Sequence, residues 1–351
     1  MGKDQLSYYY YQCPLLFIVV FLLFFSQANA FCKDSCHEWD SKSGPIPIVN
    51  QAPIQLLFLQ ATPDRAETLP KGSYSLSLQA ALTNTLLWEK SENYYGYVDM
   101  EMVRSSLGLQ YGLLPGVQVG ISVPFVYGYP GFMDHTILES EGFFQLARNL
   151  REKEDQYGRA NKYTYLLKKD DEAFIEGKER SAGLGDMVLT AKGKIWEEDT
   201  LPCLSARLAV KLPTGDEDRA FGSGKADYGL GMLLEKDIKE VTFYLNVDVI
   251  FPGHAFDNQG VSLEEFYEIM LASEYKVSSR ASLLAQLTYL TRPFQDTGLK
   301  MLDRRIIDFL LGITYLTESG LFVQGGIRED IISSSDAGAD ATFFLSVGRK
   351  I

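Results

Sequence analysis

The stretch VTFYLNVDVIF, Val241 to Phe251, decides the fold. Every second residue of this stretch is apolar, and the alternate residues from Thr242 to Asp248 can all form hydrogen bonds. Such alternation is typical of a β-strand with one apolar face and one polar face. Its length of about eleven residues suits a tilted strand that crosses the hydrocarbon layer of a membrane. If most of the chain repeats the pattern, the protein is a membrane barrel.

The alternation does recur along most of the chain. Strands are predicted between residues 73 and 127 and again between residues 187 and 347, and together they number about twelve, an even count as in single-chain bacterial barrels. Near residues 104–106 the apolar residues change from even to odd positions, and we predict a β-bulge there.

Short and long connections alternate between the predicted strands. The short ones are 113–115, 197–200, 237–239, 277–279 and 317–319, and the long ones are 129–183, 213–224, 252–263, 293–302 and 330–338. Outer-membrane barrels have short periplasmic turns and longer outer loops. We therefore predict an all-β fold, an antiparallel transmembrane β-barrel of about 12 strands over residues 71–351, with both termini periplasmic. A soluble β-sandwich also alternates, but it does not require unequal connections.

Residues 1–30 have the features of a secretory signal peptide, with Lys3, the apolar run Pro14 to Phe25 and small residues before a cleavage site after Ala30. A retained anchor is the alternative, but about twelve apolar residues are few for a bilayer span. Export permits a disulfide, and Cys32 with Cys36 is the candidate pair, free thiols being the alternative. With His37 these cysteines offer too few ligands for a metal site, and no cofactor is predicted.

Residues 31–70 are predicted to form a periplasmic N-terminal arm. Pro45, Pro47 and Pro53 prevent regular ladder pairing, while the apolar run Ile54 to Leu59 requires cover. We expect the arm at the periplasmic end, tucked into the mouth of the barrel.

The arm also carries a family resemblance. GPIPIVNQAP, Gly44 to Pro53, followed by an apolar run and LPKG, Leu69 to Gly72, resembles the opening of the domain of unknown function 3187 family of Gram-negative outer-membrane proteins. The segments from Val123 to Phe144 and from Lys211 to Gly231 resemble later parts of that family, and the second is also similar to outer-membrane channels for small organic compounds. The resemblance implies a barrel in the outer membrane of a Gram-negative bacterium, and it implies no specific activity.

Polar residues on the inward faces of the strands are the candidates for a solute-binding lumen. By alternation they are Asp99, Glu101, Lys192, Lys194, Arg207, Lys211, Asp227, Asn246, Asp248, Glu268, Arg280, Asp308 and Arg328. Charges of both signs are present. These side chains line a water-filled channel or pair across a narrow lumen and close it, and the sequence leaves both alternatives open.

The long segment 129–183 contains Phe143, Leu146, Ala147 and Leu150 at helical spacing, which predicts a short amphipathic helix. Loops of this length are usually functional or disordered. The helix is expected to lie on the outer leaflet, to fold over the pore, or simply to cap the rim.

The function predicted from these features is a passive or gated channel or transporter for a small solute. Apolar solutes are included in this prediction. The alternative is a closed barrel that acts through its outer loops. An interfacial lipid-modifying enzyme is the third hypothesis, but His37, His135 and His254 lack a serine partner at a recognisable spacing, so no catalytic residue is predicted. The expected partners are outer-membrane lipid, lipopolysaccharide and the barrel-assembly machinery. The net charge of −13 argues against nucleic acid.

Overall fold

The computed structural model describes residues 42–133, 162–318, 320–331, 338–339 and 341–350. The strands are β1 (Tyr74–Lys90), β2 (Tyr94–Leu114), β3 (Val117–Tyr129), β4 (Thr164–Lys169), β5 (Glu172–Glu176), β6 (Ser181–Leu184), β7 (Met187–Trp196), β8 (Cys203–Leu212), β9 (Asp227–Ile238), β10 (Val241–Phe251), β11 (Phe266–Lys276), β12 (Ala281–Leu290), β13 (Ile306–Leu316), β14 (Leu321–Asp330) and β15 (Ala341–Lys350). The helical turns are Gln55–Leu57, Glu217–Arg219 and Asp257–Gln259, and one short helix, α1, covers Lys300–Asp303.

Twelve of the strands close an antiparallel barrel, which confirms the predicted fold class. β1 pairs with β2 and β15, the chain then pairs strand by strand back to β7, and β7 pairs with β3. The additional pairing of β2 with β3 closes the ring. Only short connections lie at one end of the barrel, which we call the short-turn end. Long connections lie at the other, which we call the long-loop end, where the one short connection is residues 91–93 between β1 and β2.

The strand β2 lacks the predicted bulge. Its pairing with β1 runs without a shift from Tyr74 opposite Tyr111 to Lys90 opposite Tyr95, and the irregularity in β2 lies at Gly112 instead. The prediction of a bulge near residues 104–106 is therefore wrong. The apolar parity changes there because the upper part of β2 is covered on both faces, so apolar residues no longer mark the outside.

The segment between β3 and β7 adds three short strands to the sheet. β4 pairs with the upper part of β2 and with β5, while β6 pairs with the upper part of β3. The sequence analysis predicted one long loop over 129–183 and missed these strands. The predicted amphipathic helix around Phe143 to Leu150 lies outside the described residues, as do the signal peptide and Cys32 and Cys36.

The N-terminal arm runs inside the barrel along its length. It starts at the short-turn end, where the Lys42 ammonium pairs with Asp237, rises to the helical turn Gln55–Leu57, and descends again to β1. On the way down the Leu69 amide donates to Gln118 Oε1 of β3 at 2.9 Å. The arm was expected only at the mouth of the barrel. It reaches the far end because its proline-rich backbone, which cannot join a β-ladder, is bonded by inward side chains of the wall.

The outer surface of the barrel carries exposed apolar side chains on nearly every strand. Examples are Leu78, Leu109, Phe125, Leu189, Met232, Phe243, Leu271, Leu283, Leu311, Ile327 and Leu345. This face suits lipid rather than water. Among the described residues no helix is long and apolar enough to cross a membrane.

The main apolar cluster lies inside the barrel at the long-loop end, where the top of the arm meets the loops. Phe58 of the arm packs edge-on against Phe256 and Phe294, with ring centroids 6.4 and 5.5 Å away. Phe174 of β5 and Met301 of α1 belong to the same cluster. We call this group of side chains the aromatic cap, after its position at the long-loop end of the lumen.

Candidate functional site: the lumen and its N-terminal arm

The descending half of the arm is held by ion pairs to the wall. Arg65 donates to Glu235 of β9 at 2.5 Å, and Lys192 of β7 donates to the Asp64 carboxylate at 2.8 Å. The Lys192 ammonium also donates to the backbone oxygens of Arg65 and Glu67 at 2.8 and 2.9 Å. Each of these bonds involves a charged group, so each is stronger than a bond between neutral groups.

The Glu67 carboxylate adds a further contact near the short-turn end, where it pairs with Lys194 of β7 at 3.2 Å. Burial alone raises the pKa of Glu67, but the positive charges of Lys194 and Arg65 outweigh burial, and its pKa lies below the usual value. The arm therefore keeps this negative charge at neutral pH.

Buried carboxylates of the wall hold the backbone of the arm near its top. Asp227 of β9 accepts from the Leu59 amide at 2.7 Å, and Glu268 of β11 accepts from the Ala61 amide at 2.9 Å. On the ascending half, Asp308 accepts from the Asn50 side chain at 2.7 Å. The proline-rich arm cannot pair its backbone in a β-ladder, so these backbone and side-chain donors are bonded individually by carboxylates of the wall.

Two further wall cations pair with carboxylates. Lys211 of β8 lies 2.7 Å from Asp186 and 3.4 Å from Asp227, and its ammonium also donates to the Leu57 oxygen at 2.7 Å. Arg328 of β14 pairs with Asp308 at 2.6 Å.

Arg207 and Asp248 pair across an intervening strand. Arg207 on β8 and Asp248 on β10 both stand opposite Gly231 on β9, and their side chains meet at 2.7 Å. A Cβ at position 231 would collide with the Asp248 carboxylate. Glycine is therefore needed here for the close approach of the two side chains.

The structure places most of the predicted lumen residues inside the barrel. Those that face the interior are Lys192, Lys194, Arg207, Lys211, Asp227, Asn246, Asp248, Glu268, Asp308 and Arg328, all buried or nearly so. In the conformation described they contact each other or the arm. The sequence left open a water-filled channel and a lumen closed by paired charges, and the described conformation corresponds to the second.

Three predicted residues lie elsewhere. Asp99 and Glu101 are on the outward face of β2, because the strand has no bulge, and Glu101 is covered by the end of β3, where the Tyr129 hydroxyl donates to it at 2.9 Å. Arg280 lies exposed in a short turn and pairs with Glu318 at 2.7 Å. Its prediction was wrong because β12 begins one residue later, at Ala281.

A cavity of about 200 Å³ remains between the two halves of the arm and the wall formed by β1, β2, β3, β7, β8, β14 and β15. A smaller cavity of about 40 Å³ continues it towards the aromatic cap. Both are lined by Arg104, Ser122 and Val188. The smaller cavity ends against Phe58 and Phe221.

The remaining candidates for chemistry are few in the parts of the chain that the structure describes. No group of His, Cys, Asp and Glu there is arranged to hold a metal ion. His254 lies in an exposed loop and contacts Asp257 at 3.4 Å. Cys203 is a buried free thiol beside Ala66 and Leu233.

Comparison with known proteins agrees with this architecture. The model of a protein family described as "Protein of unknown function (DUF3187)" matches residues 23–351. The chain belongs to the DUF3187 family. No curated protein sequence matches it.

Solved structures are similar to this DUF3187 protein. The COG4313 outer membrane channel from Pseudomonas putida F1 is 15% identical with a TM-score of 0.53, and the match covers 83% of this chain and 100% of that one. The NanC porin is 8% identical with a TM-score of 0.46, covering 79% of this chain and 100% of that one. The first likeness shows that the DUF3187 chain has the fold of an outer-membrane barrel.

Sequence analysis missed two sets of residues in the DUF3187 lumen. The arm residues Asp64, Arg65 and Glu67 were missed because an arm without periodicity gives no face on which to place them. Arg104 was missed because a β-bulge was predicted at its position. Strict alternation along β2 would have assigned its side chain to the lumen.

Proposed function

We propose that the protein is a gated channel of the Gram-negative outer membrane for small solutes, and that the N-terminal arm is its gate. The arm fills the lumen, yet it is continuous with the barrel only at the start of β1 and forms no strand of the wall. Such a segment can shift without breaking any barrel pairing. The cavity of about 200 Å³ beside the arm marks the path that a shift would widen.

The orientation follows from the connections. With the short turns in the periplasm, as in other outer-membrane barrels, both ends of the described arm lie at the periplasmic side. The gate is then moved from the periplasm, while the aromatic cap faces the outside. The fold shared with a protein described as an outer membrane channel supports this proposal.

The contacts between the arm and the wall determine how stable the docked position of the arm is. A hydrogen bond to a charged group contributes about 1.5–3 kcal/mol, and Arg65, Lys192, Asp227 and Glu268 each supply at least one to the arm. Together they make the docked position of the arm the favoured one. Passage therefore requires a partial shift of the descending half, or a trigger that offsets several contacts at once.

A closed barrel that acts through its outer loops is the second candidate. The aromatic cap favours it, because Phe58, Phe256 and Phe294 are buried together at the long-loop end of the lumen. The two functions differ in one respect that can be measured, which is whether movement of the arm changes ion flow.

A disulfide between the arm and the wall tests the gate. Ala66 and Cys203 are both fully buried in one small cluster, so Ala66→Cys brings a second thiol to the native Cys203 of β8. The variant is made with Cys32→Ser and Cys36→Ser to prevent other pairings, and the bond is verified by thiol titration. We expect low single-channel conductance in planar bilayers for the oxidised protein and a stepwise increase after reductant.

The matched control is Cys203→Ala in the same background, which cannot form the bond and is expected to ignore reductant. Equal conductance of the verified oxidised and reduced forms would refute the arm as gate. Silence of both forms, in protein shown to be folded by heat-modifiable migration, would refute the channel and favour the closed barrel.

A further inference from the structure

The cavity beside the arm is walled by a row of polar side chains. Gln324 on β14, Ser346 on β15, Gln79 on β1 and Ser106 on β2 stand opposite one another in successive strand pairs, and all of them line the cavity. We call these residues the polar row. Because they face the lumen on neighbouring strands, they form one polar strip of the cavity wall, in which the Gln79 amide donates to the Pro47 oxygen at 3.4 Å and the Ser106 hydroxyl bonds to that of Ser122 at 2.8 Å.

Two atoms of the polar row have no partner. Gln324 Oε1 and Ser346 Oγ are buried and make no hydrogen bond with any residue that the structure describes. The Gln324 amide nitrogen, in contrast, donates to Thr314 at 3.2 Å. A buried polar atom without a partner costs about 1–3 kcal/mol and is rare in folded proteins. The Gln324 carbonyl therefore lacks a donor, which a hydroxyl group of a solute would supply.

Arg104 lies on the same face of β2, two residues from Ser106, and lines both cavities. The wall cations Lys192, Arg207 and Arg328 all pair with carboxylates. Arg104 has no hydrogen bond or ion pair with any residue of the described chain. Its guanidinium stays charged and presents a planar fork of N–H donors, which suits a carboxylate.

We infer that the cavity binds a small carboxylate that carries several hydroxyl groups, with its carboxylate on Arg104 and its hydroxyls on the polar row. The inference rests on the proposed function, because it names the solute class of the same lumen. An apolar solute would leave Arg104 and the Gln324 carbonyl without partners. A volume of about 200 Å³ lies below the ~300–1,000 Å³ of pockets for drug-sized ligands, so the solute is small.

Calorimetric titration of the full-length protein in detergent tests the site with two probes of the same carbon skeleton. Gluconate carries a carboxylate and hydroxyls, whereas sorbitol carries hydroxyls alone. We expect gluconate to bind at least about tenfold more tightly than sorbitol, with an affinity that falls as salt is added. Arg104→Gln is expected to weaken gluconate binding by about tenfold or more and to leave sorbitol unchanged, while Arg104→Lys retains part of the preference.

The control variant is Arg280→Gln, which removes an exposed arginine outside the lumen and is expected to bind both probes as the unaltered protein does. Folding of each variant is checked by heat-modifiable migration. Equal affinities for gluconate and sorbitol, no binding of gluconate, or full binding by Arg104→Gln would overturn the inference. Binding and conductance are measured separately, so the two proposals can fail independently. Gluconate binding without conductance in bilayers would refute the channel alone. Conductance without gluconate binding would refute this site alone.

Discussion

At the scale of single residues, the buried Lys211 ammonium is expected to contribute strongly to the stability of the barrel. It bridges Asp186, Asp227 and the Leu57 oxygen, and its side chain is 2% exposed. Lys211→Met keeps most of the volume but leaves two buried carboxylates without their cation. Removal of one partner of a buried ion pair costs about 3–5 kcal/mol. We expect a loss of this size in the free energy of unfolding, measured by urea titration in lipid vesicles.

The comparison variant is Lys236→Met on β9, whose half-buried ammonium pairs with Glu198 at 3.1 Å. Pairs near the surface contribute about 0–1 kcal/mol, so a small loss is expected. Similar losses for the two variants would contradict a structural role for the Lys211 cluster.

Most inward residues were predictable from the sequence, since alternation alone places Lys211, Asp227 and Asp248 in the lumen. Prediction failed where a second layer of chain covers the outside of a strand. Glu101 is polar and buried on the outward face, and Met100 is apolar and faces inward, so the rule that assigns polar residues to the lumen inverts. The partners of these residues depend on tertiary contacts that no local pattern contains.

At the scale of elements, the top of the arm is anchored by one aromatic side chain. Phe58 is 4% exposed and packs against Phe256, Phe266 and Phe294. Phe58→Ala removes these contacts, and deletion of a buried phenylalanine costs about 3–5 kcal/mol. We expect the arm to undock more often, so that trypsin cleaves after the buried Arg65 faster and bilayer conductance rises.

Two comparisons accompany this measurement. Cleavage after the exposed Lys71 provides an internal reference in every sample, and Phe132→Ala removes a ring that is 63% exposed and is expected to change neither rate. An unchanged rate at Arg65 in Phe58→Ala, with the barrel intact on gels, would mean that the aromatic cap does not hold the arm.

The elements differ in how far they could be predicted. The barrel strands were predictable because lipid on one side and a polar interior on the other impose a period of two. The arm was recognised as a non-strand from its prolines, but its course through the lumen was not, because that course is fixed by bonds such as Asp227 to the Leu59 amide. The strands β4 to β6 escaped prediction because strands of four to six residues are too short to show a clear alternation.

At the scale of the whole molecule, polarity is arranged opposite to that of a soluble barrel. Apolar side chains cover the outside, while the inside holds paired charges around the arm and, at the long-loop end, the aromatic cap. The hydrophobic effect therefore stabilises the barrel through contact with lipid, and the interior adds specific polar contacts and the packing of the aromatic cap. The proposed movement of the arm would therefore leave the outer apolar surface of the barrel unchanged.

The same division predicts where a new charge is tolerated. Leu311 lies in the middle of β13, faces outward and is 49% exposed. In lipid, Leu311→Arg places a charge near the bilayer midplane, which costs about 2–4 kcal/mol, whereas a charge near the interface costs about 0–1 kcal/mol. Leu201→Arg is the matched control, since Leu201 is 63% exposed in the short connection between β7 and β8. Urea titration in vesicles is expected to show the large loss only for Leu311→Arg, and equal small losses would contradict the assignment of the outer face of β13 to the hydrocarbon layer.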